Sequence, residues 1–341
     1  MNEGNRSDIS RLLAALSHRK GDRVPNFEIL TDNRATRHIL GLPPQGERVT
    51  LWTVPPAEAV RLAQAVGQDA VACSMTWGFE PYGSILSHAD ADRLLRPPDP
   101  REARAKLQRY LDATRSTSPT ASASGVGVVA RLSGPMTLTY MALGPVPIES
   151  FMYLLYDQPD LVERVMDAFL DYHLRLLDAI ADLPYHLYYI GDDIASSTGP
   201  LVSPEVLERL WAPRMERLIR AALATGRPII FHCCGKLDAI LPYLLKWGVQ
   251  AVHPIQPVAN DIYAIRAQVG ERLTLVGNID VDSLLTRGTP EGIRADVRQH
   301  IECLAGGGSY VACSSHSIID SIPPENYLAM VRAVHELGGF A

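Results

Sequence analysis

Eight short runs of β-branched and other apolar residues recur along the chain, each followed by turn residues and then by a longer stretch of helical periodicity. They are Arg23–Leu30, Asp69–Met75, Gly125–Leu132, Tyr185–Gly191, Pro228–Cys234, Ala251–Gln256, Leu273–Ile279 and Ser309–Ser315. The segments between them carry helix signals. Ahead of Pro204–Ala224, Ser203 offers an N-cap, Pro204 suits the first turn, and Gly226 follows the end. Asp160–Asp182 sets Leu161, Val162, Val165, Met166, Phe169, Leu170 and Tyr172 on one broad apolar stripe. Helical crossovers predict parallel neighbouring strands. The eightfold alternation predicts an α/β chain folded as one (β/α)8 (TIM) barrel domain over residues 1–341, with N-terminal helical additions. A doubly wound open sheet is the alternative, but no G-x-G-x-x-G follows any run, and Gly306-Gly307-Gly308 precedes a strand and reads as a turn.

Composition narrows the class. With 47% hydrophobic and 21% charged residues, the 341-residue chain can bury a sizeable core and is too apolar for disorder. Its net charge is −6, with 32 Lys and Arg dispersed among 38 acids, so no positive field awaits a nucleic-acid backbone. The most apolar stretch, Gly125–Ile148, is broken by Arg131 and by prolines, and no bilayer span is expected. Met1–Asp8 is polar and lacks the apolar centre of a secretory signal, which points to the cytoplasm. Five cysteines are too few and too unevenly placed for a disulfide scaffold, so thiol or metal chemistry is the better reading.

In a barrel of this kind active sites sit at the carboxyl ends of the strands. The polar residues there include Glu28, Arg131, Asp192, Asp193, His232, Cys234, Asn278, Asp280, Cys313 and His316. The most specific element is Phe231-His232-Cys233-Cys234-Gly235. Strand side chains alternate, so His232 and Cys234 project to one side as a nitrogen–sulfur metal anchor while Cys233 points to the other. A third ligand is expected from the last run, where Cys313 and His316 compete; zinc suits such donors and keeps a fourth position open when catalytic. One of Asp192 and Asp193 faces the site, either orienting a bound imidazole or handling a proton, or else it caps the next segment or pairs with Arg131 or Arg214. Asn278 and Asp280 share one face, where they serve the site or satisfy loop backbone groups. Glu28 reads as a metal ligand, a proton carrier or a partner of Arg23 or Arg34. Trp77, Phe79 and Tyr82 read as loop packing or as an apolar substrate lining.

At these residues the chain resembles the uroporphyrinogen decarboxylase superfamily, whose members are (β/α)8 barrels and include corrinoid-dependent methyltransferases. The resemblance covers nearly the whole chain. It rests on Gly191-Asp192-Asp193-Ile194 with Ser203-Pro204-Glu205, His232-x-Cys234-Gly235, Gly277-Asn278-Ile279-Asp280, and His316-Ser317-Ile318 before Pro324-Glu325-Asn326. The decarboxylases' arginine-rich signature near the first strand is replaced by Val24-Pro25-Asn26-Phe27-Glu28-Ile29, and His232-x-Cys234 is similar to the zinc motif of the methyltransferase branch. In the thiol-methylating members a distant Cys follows; here His316 stands seven residues before Pro323 with Cys313 three earlier, so the third ligand stays open between them. The segments around His316 and Pro324 look more like the branch that demethylates methoxylated aromatic compounds. The resemblance implies a zinc-dependent O-demethylating methyltransferase, working with a corrinoid carried by a separate partner protein and with a small-molecule methyl donor or acceptor. Asp192, Asp193, Glu28 and Asn278 are its expected catalytic support. Methylation of a thiol from a methylcobamide, or decarboxylation of a tetrapyrrole, are the alternatives.

Overall fold

A computed structural model of the protein describes residues 6–78, 82–116 and 125–340; Met1–Asn5 and Phe79, which entered the sequence reading, lie outside them. Seven strands form one parallel sheet in sequence order: β1 (Ala70–Ser74), β2 (Gly127–Ser133), β3 (Leu187–Gly191), β4 (Ile229–His232), β5 (Ala251–His253), β6 (Thr274–Val276) and β7 (Tyr310–Val311). Helices α1 (Ile9–Leu16), α2 (Asn33–Leu40) and α3 (Pro56–Ala65) precede β1, as the expected N-terminal additions. The crossovers are helical throughout. They comprise α4 (His88–Leu94) and α5 (Pro100–Ser116), then α6 (Pro135–Ala142), α7 (Pro147–Asp157) and α8 (Pro159–Ile180). After β3 come α9 (Pro204–Val206), a π-helical stretch at Leu207–Trp211, and α10 (Ala212–Leu223). The later crossovers are α11 (Leu241–Trp247), α12 (Ile262–Val269) and α13 (Pro290–Leu304), and α14 (Pro324–Leu337) follows β7. The stripe read for Asp160–Asp182 is buried along α8, and the Ser203 hydroxyl accepts from the Val206 N–H at 3.3 Å as the expected cap. Among the described residues no helix is long and apolar enough to cross a membrane.

The first expected strand is corrected. Arg23–Leu30 does not form a strand, so the regular eight-stranded barrel is a curled sheet of seven strands with an irregular segment beside it. That segment touches both sheet edges: Asn26 bridges Ala312, Thr31 bridges Ile318, and the Asn26 carbonyl accepts from Asp69 N–H at 2.9 Å. Regular pairing fails for a local reason. Pro25 has no N–H to donate, and the Asn26 N–H is taken at 3.0 Å by the Asp69 carboxylate instead of by a neighbouring strand.

Alternation along the strands divides two apolar layers. Ala70, Ala72, Val129, Leu187, Tyr189, Ile230, Ala251, Val276, Val311 and Cys313 face inward as one cluster, while the alternating neighbours Val71, Val128, Tyr188, Phe231 and Leu275 pack against the helices. Helix α1 plugs the amino end of the interior, since Ile9, Leu12, Ala15 and Leu16 belong to the inward cluster. Ile9 N–H donates to Gly125 O at 3.0 Å, and the Thr274 hydroxyl donates to Ala15 O at 2.7 Å. Gly127 has to be glycine here, because a Cβ would lie 2.3 Å from the Ile9 side chain. Buried Asp69 completes the floor by accepting from Arg11 at 3.1 Å and from the N–H groups of Asp8 and Asn26. With the amino end closed by α1, the described residues leave the interior open toward the carboxyl end of the sheet, where His232 and Asp193 are partly exposed. Truncating the plug at Leu12, which is fully buried, should therefore cost stability: Leu12→Ala is expected to lose about 2–5 kcal/mol, read from the denaturant midpoint at unchanged slope.

Candidate metal centre

His232 is the last residue of β4, and its inward parity with Ile230 carries on to Cys234. The Cys234 Sγ lies 3.3 Å from His232 Nε2. Cys233 points away, fully buried in the outer apolar layer, as alternation requires. Asp193, two residues beyond β3, brings Oδ1 within 3.2 Å of His232 Nε2 and accepts from Cys234 N–H at 3.0 Å. Ligand atoms of Asp193, His232 and Cys234 all lie within 4.8 Å of one another. Burial pushes against charge on Asp193, yet the facing His232 ring and the Cys234 amide hold its carboxyl well below the usual range. The His232 and Asp193 side chains are 12% and 40% exposed, so the cluster opens toward the barrel mouth.

Behind His232 stands His253, its register partner on β5. The two Nδ1 atoms are 2.7 Å apart, so one ring donates to the other. Tyr189 sets its hydroxyl 3.0 Å from His253 Nδ1 and its ring 5.5 Å from both imidazoles. His253 is fully buried, which pulls its protonation far below the ordinary histidine range and leaves it neutral. The sequence reading passed over His253 and Tyr189. Both were legible as inward positions of their runs, in phase with Ala251 and Leu187.

The remaining candidates divide. Cys313 lies behind His253, with Sγ 3.4 Å from His253 Nε2 and 3.6 Å from Glu28 Oε2, outside the three-residue cluster. The His316 ring stands edge-on to His232 at 6.2 Å between centroids. Glu28 is fully buried and bound by the N–H and hydroxyl of Ser314, each at 2.7 Å, rather than by Arg23 or Arg34. Asp192 turns away from the cluster. Its carboxylate accepts from the Thr137 N–H and hydroxyl at 2.7 Å and from Trp211 Nε1 at 3.0 Å, and burial pushes it up to about 6 against those bonds. Gly134 makes the space, since a Cβ there would lie 2.1 Å from the Asp192 carboxyl carbon. Asn278 also turns outward, donating to Ile255 O at 2.6 Å and bonding His300 on α13 at 2.8 Å. Asp280 caps the turn that follows it through the N–H groups of Asp282 and Ser283. Trp77 packs edge-on against Phe169 and Tyr172.

The sequence profile of the family described as Uroporphyrinogen decarboxylase (URO-D) matches residues 62–337, and the chain belongs to that family. A methylcobamide:CoM methyltransferase of Methanosarcina barkeri is 26% identical over 211 residues, 62% of this chain and 58% of that protein. A methylated-thiol–coenzyme M methyltransferase of Methanosarcina mazei is 26% identical over 209 residues, 61% of this chain and 53% of that one. A uroporphyrinogen decarboxylase of Syntrophotalea carbinolica is 28% identical over 184 residues, 54% of this chain and 51% of the other. The chain thus spans between about half and three fifths of the length of these curated relatives. Among solved structures, a methyltransferase from Methanosarcina mazei superposes with a TM-score of 0.72 at 20% identity, covering 97% of this chain and 99% of that chain, which shows a shared fold.

Glu28 supplies a pH test of this architecture. In the unfolded chain its carboxyl ionises near 4.5, while burial pushes the folded value up to about 7. Between those values the unfolded state binds fewer protons than the folded one, so stability falls as pH rises through that window. Wild-type protein should lose up to about 3 kcal/mol relative to Glu28→Gln between pH 4.5 and 7, measured by urea unfolding along a pH series.

Proposed function

We propose that this protein is a zinc-dependent methyltransferase that moves a methyl group between a small O-methyl substrate, a methoxylated aromatic compound, and a corrinoid held by a separate partner protein. It works as a single domain in the reducing cytoplasm, where its thiols stay free. The observation that carries this reading is the convergence of Asp193, His232 and Cys234 at the open end of the sheet. Their oxygen, nitrogen and sulfur donors are a set that zinc accepts, and three protein ligands leave a position for a substrate atom. Methyl transfer is supported by the activities named for the two Methanosarcina relatives. Those names also favour a second reading, in which a thiol is the methyl acceptor.

When bound, the metal supplies Lewis acidity that stabilises negative charge on the ether oxygen or thiol as the methyl leaves or arrives. The chain's own residues arrange the rest. His253 orients the His232 ring through Nδ1 and so turns Nε2 toward Cys234. The Cys234 amide locks Asp193, and Thr137 ties the Asp193 N–H at 2.8 Å to the buried Asp192 carboxylate, so the three donors sit on a prearranged frame. Glu28 and Cys313 back the His253 ring from the far side. His316 flanks His232 at the mouth, its ring 6.2 Å away between centroids.

Protein purified anaerobically, exposed to zinc and desalted is expected to retain stoichiometric metal. His232→Ala and Cys234→Ala should lose most of it, and His316→Ala should weaken retention while Cys313→Ala leaves it intact; the reverse pattern would place Cys313 in the ligand set. His253→Ala should lower zinc affinity roughly 10- to 100-fold in a chelator competition, the usual range for removing the partner of a ligating imidazole. Mixing zinc-loaded enzyme with a Co(I) corrinoid protein and a panel of methoxylated aromatics should produce methyl-Co(III) absorbance. Silence across the panel, together with methylation of a thiol from methyl-Co(III), would select the second reading.

A further inference from the structure

A second cavity lies on the other side of the β1 end, in the helical layer, and shares no residue with the metal cluster. Its volume is about 730 Å³, within the range of roughly 300–1,000 Å³ typical of small-molecule sites. Alternation separates the two. Ser74 and Thr76 send their hydroxyls inward to Arg131, while Met75 and Trp77 belong to the outer apolar layer and line this cavity. Ala103, Lys106 and Arg109, three residues apart along one flank of α5, supply the facing wall. Tyr172 of α8 closes it, edge-on to Trp77 at 5.5 Å between centroids.

Charge tells what such a cavity would take. Arg93, Arg96, Lys106 and Arg109 line it against Asp99 and Glu102. Asp99 is already held by Arg101 at 2.6 Å, and Arg93 is held by Asp90 at 2.9 Å, so three cations face one acid and a formal excess of two positive charges remains. Among the described residues no carboxylate forms an ion pair with Arg96, Lys106 or Arg109. Lys106 spends one N–H on Ser74 O at 2.8 Å, which leaves two. Lys106 and Arg109 sit side by side behind the strand, since both pull on the Cys73 thiol against the burial that pushes it up. Tyr172 is only 2% exposed, yet its hydroxyl has no hydrogen-bond partner among the described residues. Two unanswered positive charges match a phosphate monoester, which carries about −1.5 to −2 at neutral pH, better than a single carboxylate. The volume and the apolar wall of Met75, Leu94 and Pro98 exceed what inorganic phosphate needs. We propose that this cavity binds a phosphate monoester with an apolar or aromatic body, its phosphate held by Lys106, Arg109 and the Tyr172 hydroxyl. The site goes beyond the methyl-transfer reading and does not rest on it.

Calorimetric titration of the zinc-loaded protein with phenyl phosphate, phenol and inorganic phosphate tests this. Phenyl phosphate should bind roughly tenfold or more tighter than either of the other two, and its affinity should fall as salt is raised. Lys106→Met and Arg109→Met should each weaken it roughly tenfold and leave phenol unaffected. Arg115→Met, which removes an exposed cation further along the same helix, should change nothing. Chelating the zinc should leave the affinity intact, whether or not the protein proves to move methyl groups. Phenyl phosphate binding no tighter than phenol or than inorganic phosphate would overturn the proposal, as would equal losses in Arg109→Met and Arg115→Met. Binding that disappears with the zinc would overturn it too, by placing the anion at the metal centre. If Lys106→Met fails to fold for want of its bond to Ser74 O, the exposed Arg109 and Arg115 carry the comparison.

Discussion

Parallel strands around a plugged interior impose a two-residue period on everything inside it. Each inward side chain is followed, two residues on, by another in the same column. At the amino end those columns are filled by Ala70, Leu187 and their neighbours under the side chains of α1. At the carboxyl end the column tops carry polar side chains, which hydrogen-bond one another rather than pack against α1. His232 above Ile230, His253 above Ala251, Arg131 above Val129 and Cys313 above Val311 are four such tops. The site follows from that constraint: four strands deliver their side chains to one mouth because none of them can send those side chains anywhere else.

The frame around the cluster is built from buried polar groups that are satisfied, which is why it is rigid. Asp192 and Glu28 are both fully buried, and each accepts at least two hydrogen bonds from fixed donors. Losing those donors would leave a buried carboxylate unanswered in a medium where that costs several kilocalories per mole, on the order of 2–5. Each carboxylate therefore locks the loop that carries its donors. Thr137 is the joint between this frame and the cluster, since its hydroxyl donates to Asp192 and accepts from the Asp193 N–H. Arg131, half-buried on β2, bonds the hydroxyls of Ser74 and Thr76, lies over the Trp52 ring and feels the charge of Asp193.

Seven of the eight sequence runs became strands, and their centres were read correctly because a buried strand needs little more than a local apolar run. Their ends were overestimated. Ala251–Gln256 pairs only through His253, because Pro254 cannot donate, and Ser309–Ser315 pairs regularly only at Tyr310–Val311. Arg23–Leu30 failed for a reason spread over distant parts of the chain: the carboxylate that captures the Asn26 N–H belongs to Asp69. Among the site residues, the His232–Cys234 pair was legible from spacing alone. The choice between Asp192 and Asp193 was not, because adjacent strand residues face opposite ways and only the positions of Thr137 and Trp211 decide which carboxylate is drawn inside. Asn278 misled by the same route, since His300 on α13 holds it outward.

What the sequence determined by itself is what a period of two or of 3.6 can carry: the strand–helix alternation, the parallel sheet it implies, the buried stripe of α8, and a nitrogen and a sulfur donor set on one side of a strand end. These need only neighbours within a few residues, so local sterics write them into the chain. The tertiary structure alone decided which side chains from separate strands meet. His253 backs His232 because β4 and β5 pair in one register, and Cys313 falls behind that ring because β7 lies two strands further round. Such meetings depend on register and on the lengths of the loops between strands, which no local pattern records, and a shift of one residue in either would turn the donors out of the cavity.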